Sequence, residues 1–396
     1  MQNKTGLFTN AVIWFGVAIS VSEIEAGIQI GSVPEPNSMW IALILGHLLG
    51  GILLFLVGYI GASVRLNAME MTSSTFGKYG SKFFAVLNVM QLVAWVAVLN
   101  AQGASALESL NLPISFAVTC ILLASLIAVW VYMGLQKMAK LTTVVMAVLV
   151  VLLAVLTVRF MGFTSHTYMT NPTDLGFWNV FEISIAMPIS WLPVISDYTK
   201  DVEKPVKATM ISAIAYTLAS LWMYVIGIEI ANIGAGYTIA QAILLANLGT
   251  TGIIIVVLST ITTNFLAANS AGESAKVIYN RLEPKKVGII VSAISAVLAI
   301  SGIMNHYINF LYLIASVFAP MAAVLLVSFY IGGDNKAGKK TWYWNMFAWL
   351  SGFIVYNITI NLDSIVLGPT LLAIITSALL AYAGVLFKKR RKVEMI

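Results

Sequence analysis

The chain has 396 residues, 60% of them hydrophobic and 10% charged, with a mean hydropathy of +0.92. This composition excludes a soluble globular domain and marks a polytopic membrane protein, so the formal net charge of +6 bears on orientation in the bilayer and not on nucleic acid. Cys120 is the only cysteine, which excludes a disulfide framework and a thiol metal site and leaves a small core residue.

Apolar runs of about 20 residues can cross a bilayer as helices. Twelve such spans are expected, at 10–30, 39–63, 83–106, 113–133, 141–160, 178–196, 208–230, 250–272, 287–304, 307–331, 343–360 and 365–387, with short loops and no soluble domain between them. Segment 8–30 lacks a small-residue cleavage site and is followed by similar segments, so it reads as the first span and not as a cleaved leader. Cytoplasmic loops collect Lys and Arg. Twenty-one of the 22 basic residues fall on alternate sides of this arrangement, Arg159 alone lying opposite, so both termini are expected in the cytoplasm. The "KKRRK" after span 12 adds to that signal and suits contact with anionic lipid.

Span 1 contains "SVSEIEAGIQI", with Glu23 and Glu25 in an otherwise apolar stretch. A carboxylate in hydrocarbon costs about 2.5–3.5 kcal/mol even on lenient scales, so an acid here is expected to be used. Running outward from Asn10, the helix places Glu23 about two thirds of the way across and Glu25 beyond it, towards headgroups. Span 3 reads "NVMQLVAWVAVLNAQG", which puts Asn88, Gln91, Trp95 and Gln102 on one helical face. Amides bracketing an indole suit a flat heteroaromatic, the indole stacking and the amides reading its edge; interhelical hydrogen bonding is the structural alternative.

Span 6 contains "AMPISWLPVIS", where Pro188 and Pro193 bracket Ile189, Ser190, Trp191 and Leu192. Each proline removes a backbone donor, and irregular backbone at this depth survives only against protein or a wet cavity. Breaks in spans 1 and 6, five spans apart, are what two five-helix inverted repeats with the site at the paired breaks would give. Span 8, "LSTITTNFLAANSAGES", repeats Ser259, Thr262 and Thr263 at helical spacing, followed by Asn269 and Glu273. Hydroxyl oxygens, with carbonyls freed at the span 1 break, are the ligands of a hard cation. His47, His166 and His306 are too dispersed for a metal site, Glu182 and Glu229 are candidate mouth residues, and nothing suggests an enzyme.

These features together resemble the nucleobase–cation symporters, the family of cytosine and hydantoin permeases, through "QLVAW" in span 3, "ISDYTK" after span 6 and "STITTN" in span 8. "WFGVAIS", "LILGHLLGG", "NAMEMTSSTFGKYGS" and "LNVMQLVAW" are similar to the hydroxymethylpyrimidine permease branch, associated with uptake of a thiamine precursor. The resemblance implies an all-α, LeuT-like membrane fold in one transmembrane domain, with inverted repeats at about 8–160 and 176–331 and two further helices at 343–387. It also implies sodium-coupled secondary transport. Carried onto this sequence, it gives Trp95 as the stacking tryptophan with Gln91 beside it, and Trp191 with Ser190 at the span 6 break. The sodium ligands become Gly16 and Ile19 of span 1 with Ser259, Thr262 and Thr263 of span 8. Ser20 falls at a substrate position, and either Asn264 or Asn269 supplies the span 8 amide. Glu23 departs from the cytosine and hydantoin pattern, and is expected to bond an aminopyrimidine or to carry a proton.

The resulting expectation is a symporter importing a small heteroaromatic such as hydroxymethylpyrimidine with sodium through the cytoplasmic membrane of a prokaryote. It needs no obligate protein partner. A cytosine or purine permease, proton coupling, and a channel or receptor without active transport are the alternatives.

Overall fold

The computed structural model describes residues 5–31, 36–108, 113–161, 175–233, 239, 241, 249–333, 339–362 and 367–394. Among them there is no strand beyond one isolated bridge, Thr5 to Val202, and a helix lies at each of the twelve expected positions. By length and composition six of these helices qualify as spans on their own, and the pair Leu7–Ala18 (1a) and Val21–Gly31 (1b), bent by 50°, makes a seventh. Some others fall short for local reasons. The span 6 helix, Phe177–Ser190, is cut to 14 residues by its break, and Pro284–Ile300 has 17.

Lipid-facing and inward faces separate cleanly on span 5, Leu135–Met161. Val144, Val148, Val151, Val155 and Val158 are exposed at alternating steps of four and three, while Val145, Leu149, Leu153 and Leu156 are buried. Cys120 is buried with Ala101, Ala104, Leu123 and Ala299, as a small core residue should be.

Close approach sets the geometry around the breaks. Segment 1b packs on span 7, Pro205–Ile233, through Gly27 and Gly227; a Cβ on Gly227 would fall 2.1 Å from the Ile24 carbonyl oxygen. Span 2, Pro36–Val64, meets span 6 through Gly46 and Gly50, where added Cβ atoms would fall 2.4 Å from Ser184 Oγ and 2.2 Å from Pro188 Cγ. Small residues let membrane helices approach backbone to backbone, where dispersion is the available attraction. Spans 1, 2, 6 and 7 are thereby drawn together.

The crossing makes a test. Gly227→Ala should lower the thermal midpoint of the purified protein by several degrees or yield aggregate, whereas Gly6→Ala, with nothing within 4 Å of its added Cβ, should match the parent. Equal midpoints for the two variants would contradict the backbone crossing.

Candidate functional site

The span 6 break is a local rewiring of backbone hydrogen bonds. Pro193 has no N–H for the Ile189 carbonyl, which accepts from Leu192 instead at 3.1 Å. Val194 N–H turns to the Trp191 carbonyl (3.0 Å) and Asp197 N–H to the Val194 carbonyl (2.9 Å). The carbonyls of Ser190 and Pro193 thus lose their helical donors. Span 3, Ser73–Glu108, supplies replacements: Gln91 Nε2 donates to Ser190 O at 3.0 Å and Asn88 Nδ2 to Pro193 O at 2.9 Å. Asn88 also donates to Ser274 of span 8 (2.8 Å) and accepts from Gln91 (2.8 Å). The amide nitrogens of Asn88 and Gln91 thus clamp the break, while Gln91 Oε1 is buried without a partner among the described residues.

The span 1 break has a different cause. Ser20 caps 1b, its hydroxyl accepting from Glu23 N–H at 3.3 Å, and Ser20 N–H turns to the Ala18 carbonyl at 2.9 Å. Gly16 O thereby loses the donor that a continuous helix would give it. Ser22 Oγ donates to Gln102 Oε1 (2.5 Å), and Tyr307 of span 10, Tyr307–Leu326, donates to the Ser22 carbonyl (3.0 Å). Gln102 therefore anchors 1b to span 3.

Glu23 stands in the first turn of 1b, buried, with both carboxylate oxygens engaged by the protein: Tyr216 donates to Oε1 and Ser220 to Oε2, each at 2.8 Å. A ligand amine would have to share or displace these donors. Ser220 also lies 2.7 Å from Nε2 of His47, whose Nδ1 lies 2.7 Å from Ser184 Oγ. His47 and its serines escaped the sequence reading. The available signal was a single histidine inside the apolar, glycine-flanked "LILGHLLGG".

On span 8, Gly249–Ile278, Ser259 donates to the Val256 carbonyl (3.1 Å) and Thr262 to the Leu258 carbonyl (2.9 Å). Such hydroxyls keep lone pairs for a cation. Thr263 Oγ1 is buried without a partner among the described residues, as are both side-chain polar atoms of Asn264. Segment 1a and span 8 are in contact, so the freed Gly16 carbonyl and these hydroxyls belong to touching helices; Ile19 is buried at the break. Asn269 is half-buried and donates to Tyr198 OH at 3.4 Å.

The aromatic residues divide between two clusters. Trp95 meets Phe310 and Tyr307 edge to face, with ring centroids 5.2 and 6.4 Å away, and its Nε1 is buried without a partner among the described residues. Trp191 meets Trp14 at 6.0 Å, and Trp14 also contacts Tyr198 and Tyr216 at 6.2 Å each. Trp14, inside "WFGVAIS", joins the two breaks in a way the sequence reading did not assign.

A family profile described as "Permease for cytosine/purines, uracil, thiamine, allantoin" matches residues 1–392. The chain belongs to this permease family. No curated protein sequence matches it. Among solved structures it is similar to Mhp1, a nucleobase-cation-symport-1 family transporter in a closed conformation with bromovinylhydantoin bound. Identity is 18% over 97% of this chain and 92% of that one, with a TM-score of 0.76. A Na+-coupled sialic acid symporter matches at 13% identity over 97% and 90% of the chains, TM-score 0.71. The Eremococcus coleocola manganese transporter matches at 14% identity over 97% and 95%, TM-score 0.59. The fold is the LeuT-like one that the paired breaks imply, and the protein is a multi-pass membrane permease and not an enzyme.

Around the site, the permease's "ISDYTK" motif acts as a latch. Asp197 Oδ1 accepts from Ala68 N–H (2.9 Å), at the short helix Ala68–Met71 that follows span 2. Tyr198 donates to the Leu266 carbonyl of span 8 (2.9 Å), and Lys200 pairs with Glu273 at 3.3 Å. Asn269 is part of this latch. Glu182 is buried and accepts from Thr370 N–H (2.9 Å) and Oγ1 (2.5 Å), so it ties span 6 to span 12, and it lines a pocket with Trp178, Tyr312 and Thr359. Glu25 and Glu229 are half-buried, His306 sits in the turn before span 10, and His166 lies outside the described residues.

The span 3 clamp predicts that Asn88→Ala, which strands the Pro193 carbonyl, destabilises the permease by about 1–3 kcal/mol. Denaturant unfolding in bicelles would read this, and a loss indistinguishable from zero would contradict the clamp.

Proposed function

We propose that this permease is a sodium-coupled symporter importing a small heteroaromatic, with hydroxymethylpyrimidine as the leading candidate. It works in the cytoplasmic membrane of a prokaryote with both termini inside. The observation carrying this reading is a set of polar atoms on spans 3 and 8 that are buried without partners among the described residues: Gln91 Oε1, Trp95 Nε1, Asn100 Oδ1, Gln102 Nε2, Thr260 Oγ1, Thr263 Oγ1 and both Asn264 atoms. Buried polar groups are nearly always hydrogen-bonded, so orphans grouped on two packed spans suit groups that meet a ligand.

For the base, Trp95 offers a stacking face, Gln91 Oε1 an acceptor for an exocyclic amine, and Asn264 a donor and an acceptor for a ring nitrogen and its amino neighbour. Asn264 is favoured over Asn269, whose amide already contacts Tyr198. Trp191 and Ser190 stand at the span 6 break as a second candidate contact, the Ser190 hydroxyl donating to the Met187 carbonyl, and the Ser20 hydroxyl keeps a proton to donate beyond its capping bond. For the cation, the Gly16 and Ile19 carbonyls with Ser259, Thr262 and Thr263 form an all-oxygen set suited to a hard monovalent ion. The repeats at about 8–160 and 176–331 would place the two sites at the pseudo-symmetric breaks, with 343–387 outside them.

Accumulation tests the reading. Proteoliposomes with an inward sodium gradient should concentrate labelled hydroxymethylpyrimidine above the outside level, and choline in place of sodium should abolish this. Simple equilibration would leave a channel-like protein. Thr263→Ala should raise the sodium concentration for half-maximal uptake while leaving the maximal rate near the parent's. Trp95→Ala should weaken base affinity by about 1–3 kcal/mol, on the scale of base–aromatic stacking elsewhere. Stronger competition by cytosine or a purine would move the substrate within the family.

A further inference from the structure

The buried network on spans 1, 2, 6 and 7 is distinct from the unpartnered polar atoms of spans 3 and 8 assigned above to the base and the cation. It runs from Tyr216 through Glu23, Ser220 and His47 to Ser184 and the Leu43 carbonyl, with all its side chains buried. We propose that Glu23 and His47 hold one exchangeable proton between them, relayed by Ser220, and that this proton is a second coupling ion.

Hydrogen-bond accounting carries the assignment. A serine hydroxyl has one proton to donate. Ser220 donates it to Glu23 Oε2, so from His47 Nε2 it accepts. Ser184 has one proton for two neighbours at 2.7 Å, the Leu43 carbonyl and His47 Nδ1, and in the arrangement where Leu43 receives it Ser184 accepts from Nδ1. Both ring nitrogens then carry hydrogen, and an imidazolium faces a carboxylate across one serine. Moving one proton the other way, with the Ser220 hydroxyl reversed, gives a neutral imidazole and a neutral acid with every bond still made. The two arrangements hold the same number of protons and have no net charge. Removing that proton leaves a lone negative charge between membrane helices, which the low dielectric opposes.

The surroundings isolate this proton. Span 7 contributes Tyr216 and Tyr224 as titratable neighbours, span 10 contributes Tyr307, and helix 1b itself contributes Glu25. None is a cation. Glu182, the acid on span 6, is taken by Thr370, and span 3 presents the uncharged Gln102. Ser22, next to Glu23 in helix 1b, bonds to Gln102 and Tyr307, so the helix that carries the carboxyl group is tied to spans 3 and 10 through this one residue. The proton arrives from and leaves to water, and no other bond changes.

Site and coupling are tested separately, since only the coupling rests on the transport reading. Infrared difference spectra of the lipid-embedded protein, without substrate or sodium, should show one proton titrating between about pH 5 and 9. Glu23→Gln and His47→Gln should each remove that titration, and Ser220→Ala, which keeps both titratable groups, should displace it by about one pH unit or more. No such titration in the parent protein, or one that survives in either charge-removing variant, overturns the site. For the coupling, proteoliposomes with equal sodium on both sides and a trapped pH dye should acidify inside as labelled hydroxymethylpyrimidine enters. Entry with no acidification overturns the second-ion role while leaving sodium symport intact; no entry under any sodium gradient sinks the symport reading instead.

Discussion

Inside a bilayer a backbone carbonyl that loses its helical donor has no water to replace it, and the cost of leaving it bare is several kcal/mol. The structure is organised around meeting that cost at two places. At the span 6 break the prolines dislodge the carbonyls of Ser190 and Pro193, and the amides of Gln91 and Asn88 take them up. At the span 1 break Ser20 caps the following helix, and the Gly16 carbonyl loses its donor. One break is closed by protein side chains, while the other leaves a main-chain oxygen on a helix that touches span 8.

The side chains can serve the breaks only because the helices approach closely. Glycines at 27 and 227 bring 1b onto span 7, and those at 46 and 50 bring span 2 onto span 6. This proximity lets His47 touch serines of spans 6 and 7 at once. It also joins the four helices by hydrogen bonds as well as contact, so they are suited to move together. The bonds of Ser22 to Gln102 and Tyr307 on one side, and the latch of Asp197, Tyr198 and Lys200 on the other, join that group to its neighbours.

Much of this was legible in the sequence. Hydropathy placed helices at all twelve positions, the two prolines marked the span 6 break, and an acid in apolar sequence marked the span 1 break. The Ser-x-x-Glu pattern of residues 20–23 was a helix-start signal that could have located that break to the residue. Long-range partnership was not legible. Residues 23 and 216, or 47 and 220, are joined only by the helix crossings, and a sequence pattern carries no crossing angle. For the same reason the clamping role of the Asn88 and Gln91 amide nitrogens could not be read. Their partners are main-chain carbonyls that a sequence displays no differently from any others.

The central claim is that a heterocycle and a sodium ion bind side by side at the breaks and strengthen one another. Linkage requires each to raise the other's affinity by the same factor. Calorimetric titration of the purified permease with hydroxymethylpyrimidine at rising sodium, and with sodium at rising hydroxymethylpyrimidine, measures both factors. The account predicts two equal factors of about 5–150. Base affinity unchanged by sodium, with choline as the balancing ion, would contradict it.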